Sequence, residues 1–178
     1  MTKTLIAVAA LALLVAGCGG SDESSSASPT EEWADGFCTA ITTWTDSLQS
    51  VTEQFSSPSS LSTDGLNDAA SDIKSSTETL VDDLRGLGAP DTESGQAVQD
   101  SLDELSTTLE NEVADIESAA DGVSGLTGLP SAISSITTSL AAMGTAFAST
   151  LQALESADVK GELQTALEDS PACADISG

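Results

Sequence analysis

The stretch SPTEEWADGFCTAITTWTDSLQSVTEQF, residues 28–55, decides the fold class. Its large apolar residues are Trp33, Phe37, Ile41, Trp44, Leu48, Val51 and Phe55. The steps between them are all four or three residues, which is the seam of an amphipathic α-helix that buries one face. Ser28-Pro29-Thr30-Glu31 opens the stretch with a proline in the first turn and a glutamate three residues after a serine, the pattern of a capping box. Ser56-Ser57-Pro58-Ser59-Ser60 closes it. Trp33, Phe37 and Trp44 share one stripe, as either packing anchors of a core or an outward aromatic patch; that spacing favours the core.

The same period continues outward along the chain. A second helix is expected over about 63–85, with Leu66, Ala70, Ile73, Thr77, Leu80 and Leu84 in register and Leu87 beyond it. Arg85 suits a helix C-terminus, and Gly86, Gly88 and Pro90 stop the run. A third is expected from Asp91 or Thr92 to about Asp121, on Val98, Leu102, Leu105, Leu109, Val113, Ile116 and Ala120. Gly122–Pro130 (GVSGLTGLP) breaks it. A fourth spans Ser131 to about Ser156, on Ile133, Ile136, Leu140, Met143, Phe147, Leu151 and Leu154, and a short fifth piece carries Leu163, Ala166 and Leu167 before Ser170-Pro171. No window alternates apolar and polar as a strand does. Four long amphipathic helices with short joins, plus a short C-terminal helix, predict an all-α antiparallel helical bundle in a single domain over 29–178. The Ile41–Leu48 segment (ITTWTDSL) echoes Ile133–Leu140 (ISSITTSL), which fits either a duplicated hairpin or two Ser/Thr-rich helices sharing a heptad; the second is the simpler.

Composition restricts the chemistry. The 178 residues hold 29 acids, 4 bases and no histidine, for a formal charge of −25. Without histidine there is no Ser-His-Asp or Cys-His nucleophile, imidazole metal site or imidazole proton shuttle. Four bases leave no electrostatic footprint for nucleic acid. Carboxylates are plentiful, yet there is no GxSxG, SxxK, HExxH or P-loop, and Arg85 is the sole arginine for clamping an anion. The sequence therefore predicts a protein that is not an enzyme, with no cofactor and no metal.

The N-terminus sets the expected location. Lys3 precedes the apolar run Leu5–Ala16, which has the length of a secretory h-region and is too short for a transmembrane span. The run ends Val15-Ala16-Gly17-Cys18, which resembles the lipobox of bacterial lipoproteins. That resemblance implies removal of residues 1–17 as a signal peptide. It also implies attachment of diacylglycerol to Cys18, with acyl chains such as palmitate. Removal takes away one base and no acid, so the charge moves from −25 to −26. Two or more acyl chains anchor stably, and the Gly/Ser-rich residues 18–28 read as a tether with a reach of about 18 Å. The implied location is the extracytoplasmic side of the cell membrane. With Cys18 assigned to lipid, Cys38 and Cys173 remain as an even pair in an exported chain, which reads as a disulfide. A redox pair or metal dithiolate is the other use of two thiols, but no CxxC spacing or further soft ligand accompanies them. Phe37-Cys38 near the start of the domain and Ser170-Pro171-Ala172-Cys173 at its end, with the lipobox and serine-rich tether, resemble small exported helical lipoproteins of actinobacteria with no assigned molecular activity.

Charge is distributed unevenly. Asp91–Asp121 contains ten acids and no base, whereas Gly122–Leu154 contains no charged residue. Like charges at i,i+4 repel, so the acidic helix reads as a solvated outer face; a cation or basic-partner surface is the sharper reading, but no EF-hand-type loop is present. A helix without charge is usually buried on most faces. The fourth helix is accordingly expected at the centre of the bundle, with partner docking, self-association, and a pocket or lipid contact as the other uses. The functional expectation is a membrane-anchored, non-catalytic interaction or structural module of the cell envelope. The alternative is a binding module for a small apolar or lipid-like ligand beside the uncharged helix.

Overall fold

A computed structural model describes residues 27–55 and 62–174. They form α1 (Pro29–Phe55), α2 (Thr63–Leu87), α3 (Gly95–Asp121), α4 (Leu129–Ala157), the short α5 (Glu162–Asp169) and a 3-10 turn at Pro171–Cys173, with no strand among the described residues. Residues 1–17, expected to be a signal peptide, and Cys18 lie outside the described residues.

The local signals act as the sequence implies. Ser28 Oγ accepts from the Glu31 amide at 3.2 Å, while Glu31 Oε2 accepts from the Ser28 amide at 2.5 Å, so the capping box is reciprocal. That bond to the Ser28 amide holds the Glu31 carboxyl below its usual value. Ser62 Oγ caps α2 by accepting from the Gly65 amide at 3.1 Å. α2 runs to Leu87, two residues past the expected end, and stops at Gly88, whose φ of 64° suits glycine. α3 begins later than expected, at Gly95. Residues 91–94 form a turn in which the Thr92 amide donates to Pro90 O and the Gly95 amide to Thr92 O. A Cβ at Gly95 would lie 2.1 Å from Pro90 O, so only glycine lets the chain fold back this tightly. α4 begins two residues earlier than expected, with Pro130 in its first turn.

Successive helices pack antiparallel: α1 on α2, α2 on α3 and α3 on α4. Their apolar stripes meet in one core that includes Ile41, Leu66, Ile73, Leu80, Leu105, Leu109, Ile116, Ile136 and Met143. Each such side chain contributes roughly 1.5–3 kcal/mol by leaving water. The three aromatic anchors are buried: Trp33 and Phe37 stack with ring centroids 5.4 Å apart, and Trp44 Nε1 donates to Thr77 Oγ1 at 3.1 Å. The second reading, an outward aromatic patch, is thereby excluded for these rings.

α4 is not the central helix, contrary to the expectation from its lack of charge. It lies along α3, touches α2 lightly and turns one side to solvent. Ile136, Met143 and Leu154 face the core, whereas Ser134, Thr138, Ala141, Thr145 and Ala148 are exposed. Absence of charge permits burial of a helix but does not require it. Small residues on both partners, such as Ser106 and Ala120 on α3 and Ala132 and Ser139 on α4, are buried and suit a close approach of the two backbones.

α5 and the 3-10 turn fold back on α1. Cys38 and Cys173 form a disulfide with Cα atoms 5.0 Å apart. Ser170 Oγ donates to Asp35 Oδ1 beside it, and Leu163 and Ala166 are buried.

Candidate functional site

Three connections define the end of the bundle at which α1 begins. Trp33 Nε1 donates to Gly88 O at 2.9 Å, Thr30 Oγ1 donates to Asp91 O at 3.2 Å, and Lys160 Nζ pairs with Glu93 at 2.6 Å. The start of α1, the α2–α3 turn and the α4–α5 turn therefore gather at one end. The Gly-rich α3–α4 join, with Leu126 72% exposed, lies at the other.

The acidic α3 segment is not only a solvated face. All three described bases reach it or the turn before it: Lys74 to Glu117 at 2.9 Å, Arg85 to Glu110 at 2.9 Å, and Lys160 to Glu93. Lys74 and Arg85 project from α2, so their pairs bridge α2 to α3 across an open groove of about 360 Å³ floored by Val81 and Val113. The scarce bases are placed opposite the densest acids, a pairing that one-dimensional spacing cannot display. The hydrogen bond from Lys74 to Glu117 holds the ammonium above its ordinary value of 10.5, and the Arg85 guanidinium is raised in the same way by Glu110. A raised folded value makes the Lys74 contribution complete below 10.5 and lets it fade as pH rises further. Chemical denaturation at neutral pH and above 10.5 should therefore show a smaller alkaline loss in Glu117→Gln than in the parent protein; equal losses would refute the assignment.

The outward side of α4 is less polar than its composition. Thr137, Thr138 and Thr145 donate their hydroxyls to the carbonyls of Ile133, Ser134 and Ala141 at 2.8, 2.8 and 2.9 Å. Such bonds occupy the hydroxyl protons within the helix. Gly144 sits mid-helix on this side, where an added Cβ would meet nothing within 4 Å. A serine-rich groove of about 460 Å³ runs between α3 and α4, past Ser134, Ser135, Thr138 and Asp115. A second groove, of about 430 Å³, lies between the end of α4 and α5 and has leucine walls.

Of the site residues expected from sequence, Cys38 and Cys173 are brought together, and Cys18 lies outside the described residues. Among the described residues, no group of three or more Cys, Asp or Glu could hold a metal ion, and no helix is long and apolar enough to cross a membrane. The leucine groove was missed by sequence reasoning. Its signal was present in Leu151 and Leu167, apolar residues of two elements joined by a tight turn, but whether they line one groove depends on how α5 folds back. No protein-family model, curated protein or solved structure matches the chain.

Proposed function

We propose that the protein is a lipid-anchored, extracytoplasmic module of the cell envelope that acts by docking other proteins rather than by catalysis. The observation that carries this reading is the outward side of α4: an uncharged helical face on a chain of formal charge −25, with threonine hydroxyls turned back on their own backbone. Such a face presents methyl groups, and another protein can approach it without meeting the charge that covers the rest of the domain. The Cys38–Cys173 disulfide supports an oxidising compartment, because such bonds persist mainly outside the cytoplasm. The resemblance of Val15–Cys18 to a lipobox supports the anchor.

Two measurements test the reading. Cys18→Ala should move the protein from the membrane fraction to the soluble fraction of the envelope; retention on membranes would place the anchor elsewhere. A photo-crosslinking residue at Ala141 or Ala148 should capture a defined neighbour in cells, while one at Asp68 on the exposed side of α2 should not. Equal capture from both sides would remove the case for α4.

The alternative, a binding module for a small apolar or lipid-like ligand, is favoured by one feature, the leucine-walled groove at the end of α4. The groove nearer the middle of α4 lacks apolar walls of that kind, being lined by Ser134, Ser135, Thr138 and Ser139.

A further inference from the structure

The groove between α4 and α5 joins an apolar floor to a rim of carboxylates that meet no base, unlike the α2–α3 groove, where Lys74 and Arg85 pair with Glu117 and Glu110. Its floor is apolar, with Leu154 and Leu163 at 2% and 1% exposure, and the half-buried Leu151 and Leu167 rise on either side. Its rim carries three carboxylates, Glu155, Asp158 and Glu168, with Gln164 between them. None of the three forms an ion pair among the described residues, since Lys74, Arg85 and Lys160 are committed to acids at α3 or the turn before it. Asp158 Oδ2 instead accepts from the Gln164 amide at 2.7 Å, and Glu168 Oε1 accepts from Gln164 Nε2 at 2.9 Å. These bonds fix two rim carboxylates in place and leave their charge uncompensated.

We infer that this groove docks a cationic amphipathic segment of a partner protein, one that places apolar side chains between Leu151 and Leu167 and sets lysine or arginine against the rim. This deepens the docking reading proposed above by naming a second contact and the chemistry it recognises. Charge selects the occupant. A fatty acid would bring a carboxylate to a carboxylate rim. A second copy of this chain has the same net charge of −25, and its α4 has no base to set against the rim. No segment of the chain beyond Lys3 that lies outside the described residues carries a base: 18–26, 56–61 and 175–178 contain neither lysine nor arginine. A basic helix with apolar residues at i and i+3 or i+4 supplies both halves of the match, in the manner of helix-in-groove recognition. The groove is small beside a standard interface, so binding is weak and weakens further as salt screens the rim.

The test uses the full mature chain carrying Cys18→Ala, with its disulfide intact, and a fluorescently labelled helical peptide of leucine and lysine. Anisotropy should report saturable binding. Leu167→Ser should weaken it about tenfold, the equivalent of losing most of one leucine's burial. Glu155→Gln combined with Glu168→Gln should weaken it severalfold and flatten its salt dependence, and this surface pair keeps the test valid if Leu167→Ser loosens α5. Asp68→Asn combined with Asp72→Asn, which removes the same charge from exposed positions on α2, should leave binding unchanged. Equal weakening by both acid pairs means diffuse attraction to a polyanion and overturns the groove. Binding indifferent to Leu167→Ser overturns it as well. If lysophosphatidylcholine binds in a Leu167-dependent way and the peptide does not bind, the groove is a lipid site and the inference fails. Capture at Ala141 in cells is independent of all these outcomes, so the α4 reading stands or falls separately.

Discussion

Replacing Cys38 and Cys173 together by alanine should lower the unfolding free energy by several kcal/mol. The bond closes a loop with a sequence separation of 135. In the chain-entropy treatment a loop of that size contributes about 5 kcal/mol by restricting the unfolded chain, and removal of native disulfides from small exported domains typically costs about 2–5 kcal/mol. The loss should also be local. α5 and the 3-10 turn pack on α1 through few buried groups, chiefly Leu163, Ala166 and Cys173, aided by Ser170 to Asp35. An eight-residue helix is too short to persist unaided. Amide exchange in the double variant should therefore rise first over 162–173, ahead of α2 and α3. Guanidinium unfolding gives the magnitude and exchange gives the location. A change below about 1 kcal/mol, with α5 still protected, would show that packing alone holds the C-terminus and would falsify the role assigned to the bond. The leucine groove adds a functional readout, because its α5 wall is held by the same bond.

The second large effect separates the two sides of α4. Ile136 is fully buried, and Ile136→Ala should cost about 2–5 kcal/mol through lost burial and the cavity left behind. Thr137, its neighbour in sequence, is exposed and bonds only back to Ile133 O. Thr137→Lys should stay within about 0.5 kcal/mol of the parent, since lysine is a good helix former and the position is solvated. Were α4 the central helix, a lysine there would bury an unpaired charge and unfold the domain. Urea midpoints of the two variants decide between the arrangements: a steep loss at 136 beside tolerance at 137 is the expected pattern, and a steep loss at both would overturn the outward placement.

Much of this fold is legible in one dimension because its signals are local. The Ser28/Glu31 capping box and the three-and-four spacing from Trp33 to Phe55 each act within a few residues and appear where the sequence puts them, while the glycine stop of α2 falls at Gly88, with the helix running two residues past its expected end. The start of α3 was less legible: Thr92 and acidic residues looked like a helix opening, but Gly95 lets the chain turn against Pro90 first. The position of α4 was not legible at all. Its composition fits a buried helix, and its exposed threonines become weakly polar only once each hydroxyl has found its own i−4 carbonyl.

The sequence by itself determined the class of fold and the pairing of Cys38 with Cys173. Periodicity dictates which face of each helix must be buried, and Cys38 and Cys173 are the two thiols left once Cys18 is set aside. Only the tertiary structure decided which helix is covered and which is bare, that Lys74 and Arg85 bridge α2 to the acids of α3, and that Leu151 and Leu167 line one groove with carboxylates at its rim. The reason is physical. A stripe specifies that a face is buried but not against which neighbour, and charge complementarity acts across space between residues as far apart as Lys74 and Glu117. The surplus of acid is common to both views; its placement around one leucine groove belongs to the folded chain alone.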